Sequence, residues 1–210
     1  MPLWSELGEA LASQISGYPT NDGRPVEAIS AYQHSYGRTR LVQEVRRQIH
    51  HGVARPGDAH EAFCRLPFDI VCTTNVDCLL EDGYQSLSRD YHVIVEEDQL
   101  SVGVDRRTVT VVKMHGDVNH PHRLVLTEDD FDGYVARNPL LVTYLSNLLI
   151  TRTALFVGYS LDDPDFRQIL ALIADRLGAL RRQAYALTYS LGPHEVARYQ
   201  RRNVRCIDLA

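Results

Sequence analysis

The sequence predicts an α/β fold, a parallel sheet flanked by helices, from three observations. Five short β-rich runs punctuate the chain: Phe68–Thr74, Thr108–Met114, Ala154–Ser160, Ala184–Ser190 and Val204–Asp208. Helical patterns lie between most of them, as crossovers between parallel strands require. Three of the runs also end on polar residues, and open parallel sheets bind ligands beyond the carboxyl ends of their strands.

The helices follow from their caps and spacing. One is expected from Arg38 to His50 and another from Asp58, which has Glu61 at capping-box distance. "NPLLVTYLSNLLITR", from Asn138, reads as a well-buried helix feeding the third β-run. The clearest helix follows Asp162. Asp163 caps it, Pro164 suits its first turn, and Phe166, Ile169, Leu170 and Ile173 share a face before Gly178 stops it. Ser16–Pro25 is the most loop-like segment, and Glu96–Arg107 reads as a hairpin or loop. No repeat or linker interrupts residues 1–210, so a single domain is expected.

Composition narrows the function classes. At 210 residues, with 44% hydrophobic and 23% charged, the chain can bury one substantial core and is short for two full domains. A net charge of −5 leaves no basic footprint, so nucleic acid is not expected as a direct partner. Arg181, Arg182, Arg198, Arg201, Arg202 and Arg205 read as a solvated helical face. Cys64, Cys72, Cys78 and Cys206 form no Cys-x-x-Cys pair, so they read as small core residues in a reducing cytoplasm. No apolar stretch reaches membrane-span length and no basic-then-apolar signal opens the chain; a soluble cytoplasmic protein with no membrane partner is expected.

The polar strand ends are Thr73-Thr74-Asn75, His115-Gly116-Asp117 and Gly158-Tyr159-Ser160, the last followed by Asp162 and Asp163. The three strands are therefore expected to deliver an amide, an imidazole and a hydroxyl to the same sheet edge. Each has a plainer reading. Asn75 and Asp77 are good caps for the next helix, and His115 alone would suit a satisfied core position. Gly116 permits a positive φ or a close backbone approach. Ser160 lacks the last glycine of a nucleophile elbow, which argues against a serine hydrolase. A metal-dependent hydrolase built from His115, His120 and His122 with Asp117 and Asp129 has suitable ligand types. Their spacing is not that of a zinc helix, so no metal is expected.

"TTNVD", "KMHGDVNHP", "VLTEDDF" and "LFVGYSLDDPDFRQIL" together resemble the SIR2-like (sirtuin-related) domain, especially its bacterial antiphage-defence branch. The resemblance spans roughly residues 60–178. It implies a Rossmann-like parallel sheet that binds NAD and hydrolyses the nicotinamide–ribose bond, with NAD as substrate rather than resident cofactor. Transferred by resemblance, Asn75 holds the water or substrate oxygen near the anomeric carbon, Asp77 braces that loop, and His115 is general base or partner to a ribose hydroxyl. Thr74, Gly116, Gly158 and Ser160 would line the nucleotide. The chemistry agrees: nicotinamide leaves uncharged, so cleavage needs a positioned nucleophile and a tuned base more than a strong acid.

Two departures accompany the resemblance. Protein-deacylating sirtuins generally carry a four-cysteine zinc module, and nothing here has that spacing, so NAD-dependent deacylation ranks below hydrolysis. The family also usually opens with a strand and a Gly-Ala-Gly-type loop that cradles the pyrophosphate. No two of the 13 glycines here are closer than five residues apart, so no G-x-G exists. The domain is therefore expected to be N-terminally incomplete, either truncated or a natural variant with weakened NAD binding. A non-catalytic module that senses NAD or an ADP-ribose-type nucleotide is the alternative, with a homo-oligomer or a defence-system partner subunit supplying what is lacking.

Overall fold

A computed structural model describes residues 3–19, 24–159, 171 and 182–210. The expected helix after Asp162, and the loop residues 20–23, lie outside the described residues. The chain divides into two compact units, Met1–Asp132 and Gly133–Ala210.

The first unit opens with three helices, α1 (Trp4–Ala12), α2 (Pro25–Tyr36) and α3 (Arg38–Gln48), followed by α4 (Asp58–Cys64). The expected capping box on α4 shifts by one residue. Gly57 is the N-cap, and its N–H donates to His60 Nδ1 at 3.3 Å, so Asp58 is already inside the first turn. Strand β1 (Ile70–Thr73), helix α5 (Leu79–Ser86), strand β2 (Tyr91–Ile94) and strand β3 (Val109–Lys113) follow. The strands pair in parallel in the order β1-β3-β2. β2 was not among the five runs read from the sequence, because it is a four-residue edge strand whose first three positions are only half-buried. The central β3 is buried at all five positions, as its near-continuous apolar sequence requires.

Segment 96–107 is not a hairpin. It holds a 3₁₀ turn (Glu97–Ser101), pinned where Gln99 Oε1 accepts the N–H groups of Val95 (2.6 Å) and Glu96 (2.8 Å). A second 3₁₀ turn (Pro121–Arg123) and α6 (Glu128–Asp132) close the unit.

Apolar clusters among the described residues build this unit. Cys64, Val71, Tyr84, Val109 and Val111 join α4 and α5 to the sheet. Leu7, Leu11, Ile29, Tyr32, Leu41, Val42, Val45 and Ile49 of the N-terminal helical segment pack with Val76, Val118, Leu124 and Leu126, which come from the segments after β1 and β3. The helical layer thus rests on the loops beyond the strand ends rather than on the sheet alone.

The second unit contains α7 (Tyr134–Arg137), α8 (Pro139–Thr151), β4 (Leu155–Val157), β5 (Ala184–Thr188), α9 (Pro193–Arg201) and β6 (Val204–Asp208). Its strands form a separate parallel sheet, β4-β5-β6, with Ala186 and Val204 buried at its centre. All five runs read from the sequence are therefore strands, but among the described residues they divide between two sheets. Helix α8 buries Leu141, Val142 and Leu145 but leaves Leu140 59% exposed, so it is amphipathic rather than buried all round. Of the arginines read as one helical face, Arg198 and Arg201 lie on α9 while Arg205 lies on β6. Among the cysteines only Cys64 is fully buried; Cys72 is exposed and Cys78 and Cys206 are intermediate. No helix among the described residues is long and apolar enough to cross a membrane.

Asp130 is a polar anchor of the first unit. Its Oδ2 accepts N–H groups from Leu126 (2.9 Å) and Thr127 (3.1 Å) and pairs with Arg38 at 2.7 Å. Burial pushes its pKa up, but the two N–H donors and the Arg38 guanidinium outweigh this and hold it below the ordinary value. A depressed folded-state value stabilises the fold above the unfolded pKa and loses that contribution as pH falls through the folded one. Asp130→Asn should therefore lower stability by about 1–3 kcal/mol at neutral pH. The difference from wild type should shrink below about pH 4, which urea titrations at several pH values will measure; a pH-independent difference would contradict the assignment.

Candidate functional site

The register of the first sheet places Thr73 opposite Lys113, so the chain leaves β1 and β3 side by side. Two backbone bonds keep the emerging loops together: Met114 N–H donates to Thr73 O, and Val118 N–H to Val76 O, both at 2.9 Å. Between these ties lie Thr74, Asn75, His115, Gly116 and Asp117. The structure thereby joins the candidates that the sequence reading took from its first two strand ends.

Each loop is shaped by its own side chains. Asn75 is exposed, and its N–H donates to Thr73 Oγ1 at 3.1 Å, which turns the chain outward. Asp77 is buried, and its Oδ1 accepts the N–H of Leu79 at 2.8 Å, an Asx turn that leads the chain into α5, whose N-cap is Cys78 rather than Asp77. The other oxygen, Oδ2, is buried with no hydrogen-bond partner among the described residues, an acceptor with capacity to spare.

His115 is only 5% exposed and stands edge-on to Phe131, with centroids 5.3 Å apart at 89°. Phe131 lies on α6, whose start is fixed by Asp130, so the "VLTEDDF" motif reaches the imidazole through packing. Gly116 has φ +69°, and a Cβ there would stand 2.5 Å from Arg123 O. Both facts demand glycine. Asp117 Oδ1 then accepts from Asn119 N–H (2.7 Å) and His120 N–H (3.0 Å), and lies 2.9 Å from His120 Nδ1.

From the helical layer, Arg46 donates twice to Val118 O (3.0 and 2.6 Å), and Arg38 donates to Leu124 O. These two α3 arginines bracket the loop that carries Gly116 to Arg123. Sequence reading assigned them no role, because their acceptors are carbonyls far along the chain.

The histidine group read as a metal alternative is divided in its contacts. His122 Nε2 pairs with Glu96 Oε1 at 2.7 Å, whereas His120 pairs with Asp117. A different trio, Cys78, Glu81 and Asp117, brings possible ligand atoms within 4.8 Å of one another. There the Lys113 ammonium already lies 3.0 Å from Glu81 Oε1. Burial, with Glu81 adding to it, pushes the Cys78 thiol up to about 11, which favours the neutral thiol over the thiolate that metals bind.

Gly158, at the end of β4 in the second unit, has φ +60°. Ser160 lies outside the described residues.

Comparison with known proteins identifies relatives of the chain. Residues 69–207 match the family model described as the SIR2-like domain. Over 187 residues the chain is 30% identical to a Bacillus cereus protein named NAD(+) hydrolase ThsA, covering 88% of this chain and 39% of that one. A protein of the same name from Acinetobacter baumannii is 29% identical over 189 residues, with 88% and 38% covered. The Bacillus subtilis protein named defense-associated sirtuin 2 is 29% identical over 103 residues, covering 48% of this chain and 10% of that one. The chain thus spans about two fifths of the length of these two proteins named NAD(+) hydrolase.

The geometry at Gly116 sets a stability expectation. Gly116→Ala combines a left-handed backbone with a clash against a carbonyl held in the Arg38- and Arg46-bracketed loop. It should cost about 2 kcal/mol or more in urea unfolding. A loss below about 0.5 kcal/mol would show that the 123–124 backbone yields freely.

Proposed function

Because the chain belongs to the SIR2-like domain family, we propose that it hydrolyses NAD at the nicotinamide–ribose bond, and that it does so in the cytoplasm in antiphage defence. The observation that carries this reading is the pair of tied loops beyond β1 and β3, with exposed Asn75 on one and buried His115 on the other. The names of the related hydrolases support it as well.

In this reading water adds to the anomeric carbon while the C1′–N bond breaks. Nicotinamide leaves uncharged with the bonding pair, and the water proton passes to a base. The Asn75 amide orients the water, and Asp77 braces the loop through its bond to Leu79 N–H. His115, lodged against Phe131, serves as the base or as partner to a ribose hydroxyl. Thr74 and Gly116 line the ribose. Gly116 has no side chain, so the backbone there can approach a ligand closely.

One observation favours a second reading, nucleotide binding without turnover. The sequence contains no G-x-G for a pyrophosphate cradle, so affinity would rest on other donors or on an oligomer or partner subunit. Deacylation is disfavoured by the absence of a four-cysteine spacing.

Purified protein incubated with NAD should release nicotinamide, measured chromatographically. Asn75→Ala and His115→Ala should each lower the rate by about 100-fold or more. A folded wild type with no turnover at saturating NAD, but with calorimetric binding of ADP-ribose, would establish the second reading instead.

A further inference from the structure

Lys113 is the only lysine in the chain; every other residue among the 22 lysines and arginines is arginine. It is also the one Lys or Arg buried among the described residues, at 1% exposure. It ends β3, two positions before His115.

Its ammonium reaches across to the neighbouring strand's loop. It donates to the Asp77 carbonyl and pairs with Glu81 Oε1 at 3.0 Å. Asp77 and Glu81 are both 7% exposed, so the contact is sealed from water. The β1-to-α5 connection is thus tied to the segment after β3 by main-chain bonds at Thr73 and Val76, and to β3 itself by this side chain at Asp77 and Glu81.

Stability alone is a poor explanation of such a group. Taking an ammonium and a carboxylate out of water carries a desolvation penalty that their attraction often does no more than offset, and apolar residues of the same size commonly serve equally well. The best-attested use of a buried pair is to fix register. The residue type also fits placement. Lysine is a compact point charge on a flexible stem, which suits one carbonyl and one carboxylate from different residues, whereas a guanidinium presents a planar fork of five donors.

We propose that Lys113 is a positioning residue: held by Glu81, its buried ammonium fixes the Asp77 peptide and so sets Asn75 relative to His115. Its effect on turnover rests on the hydrolysis reading above; its effect on the loop does not. Lys113 touches neither substrate nor water in this role and acts through the loop it anchors.

The test pairs an activity measurement with one that needs no activity. Lys113→Met alone strands the Glu81 carboxylate, so the informative variant is Lys113→Met with Glu81→Leu, which removes both charges at similar volume. Should that double variant not fold, Lys113→Arg keeps the charge opposite Glu81 and carries the same comparison. In the folded variant, hydrogen exchange of the Thr74–Leu79 amides should accelerate about tenfold or more while the β3 amides keep their protection. The kcat for nicotinamide release should fall about tenfold or more with KM within about threefold, because a displaced group costs rate more than binding. Unchanged exchange in the loop overturns the proposal, whatever the wild type does with NAD. A loosened loop with unchanged kcat overturns the catalytic consequence. A loosened loop in a protein whose wild type releases no nicotinamide supports the positioning role and overturns the hydrolysis reading instead.

Discussion

The parallel pairing of β1 with β3 is the constraint on which the candidate site depends. With Thr73 opposite Lys113, the segments Thr74–Asp77 and Met114–Asp117 leave the sheet at the same level. A slip of one residue would exchange the faces on which alternate side chains fall and turn Lys113 away from Glu81. Both faces of β3 are enclosed, so burial alone does not distinguish the two registers. The single buried ammonium at the strand's end does.

Above the strand ends the architecture is unusually reliant on its loops. Val76, Val118, Leu124 and Leu126 are core residues shared with the N-terminal helices. The loops that bear the polar candidates are thus buried on one side by apolar packing and open on the other, at Asn75. Arg38 and Arg46 satisfy carbonyls that burial would otherwise leave unpaired. Such support is what a site on loops needs if its groups are to stay in place.

Buried charge is concentrated at one point. Asp77, Glu81 and Asp117 approach β3's end, where Lys113 is the one buried Lys or Arg among the described residues. Hydrogen bonds take up part of the excess: Asp77 Oδ1 accepts from Leu79, and Asp117 Oδ1 accepts two backbone N–H groups. Asp77 Oδ2 and Glu81 Oε2 remain buried without hydrogen-bond partners among the described residues. Buried carboxyl oxygens without hydrogen-bond partners are costly, and functional sites are where proteins commonly tolerate such cost.

Periodicity and caps in the sequence determined the α/β class, all five of its β-runs as strands, and the helices near Arg38, Asp58 and Asn138. These signals are local, and local physics sets them: apolar β-rich runs, capping residues and proline at first turns. The same runs made Asn75, Asp77 and His115 visible, since polar residues ending apolar strands are anomalies that need no partner to be noticed. Tertiary structure alone decided that Asp77 Oδ1 takes the N–H of Leu79 while Cys78 is the N-cap of α5, that Phe131 stands against His115, and that Gly116 admits no side chain because Arg123 O is 2.5 Å away. It also divided the strands between two sheets and placed the edge strand Tyr91–Ile94. Lys113 shows the limit most clearly. As a letter it is one cation ending an apolar strand, and only the parallel register gives it Asp77, 36 positions away, and Glu81.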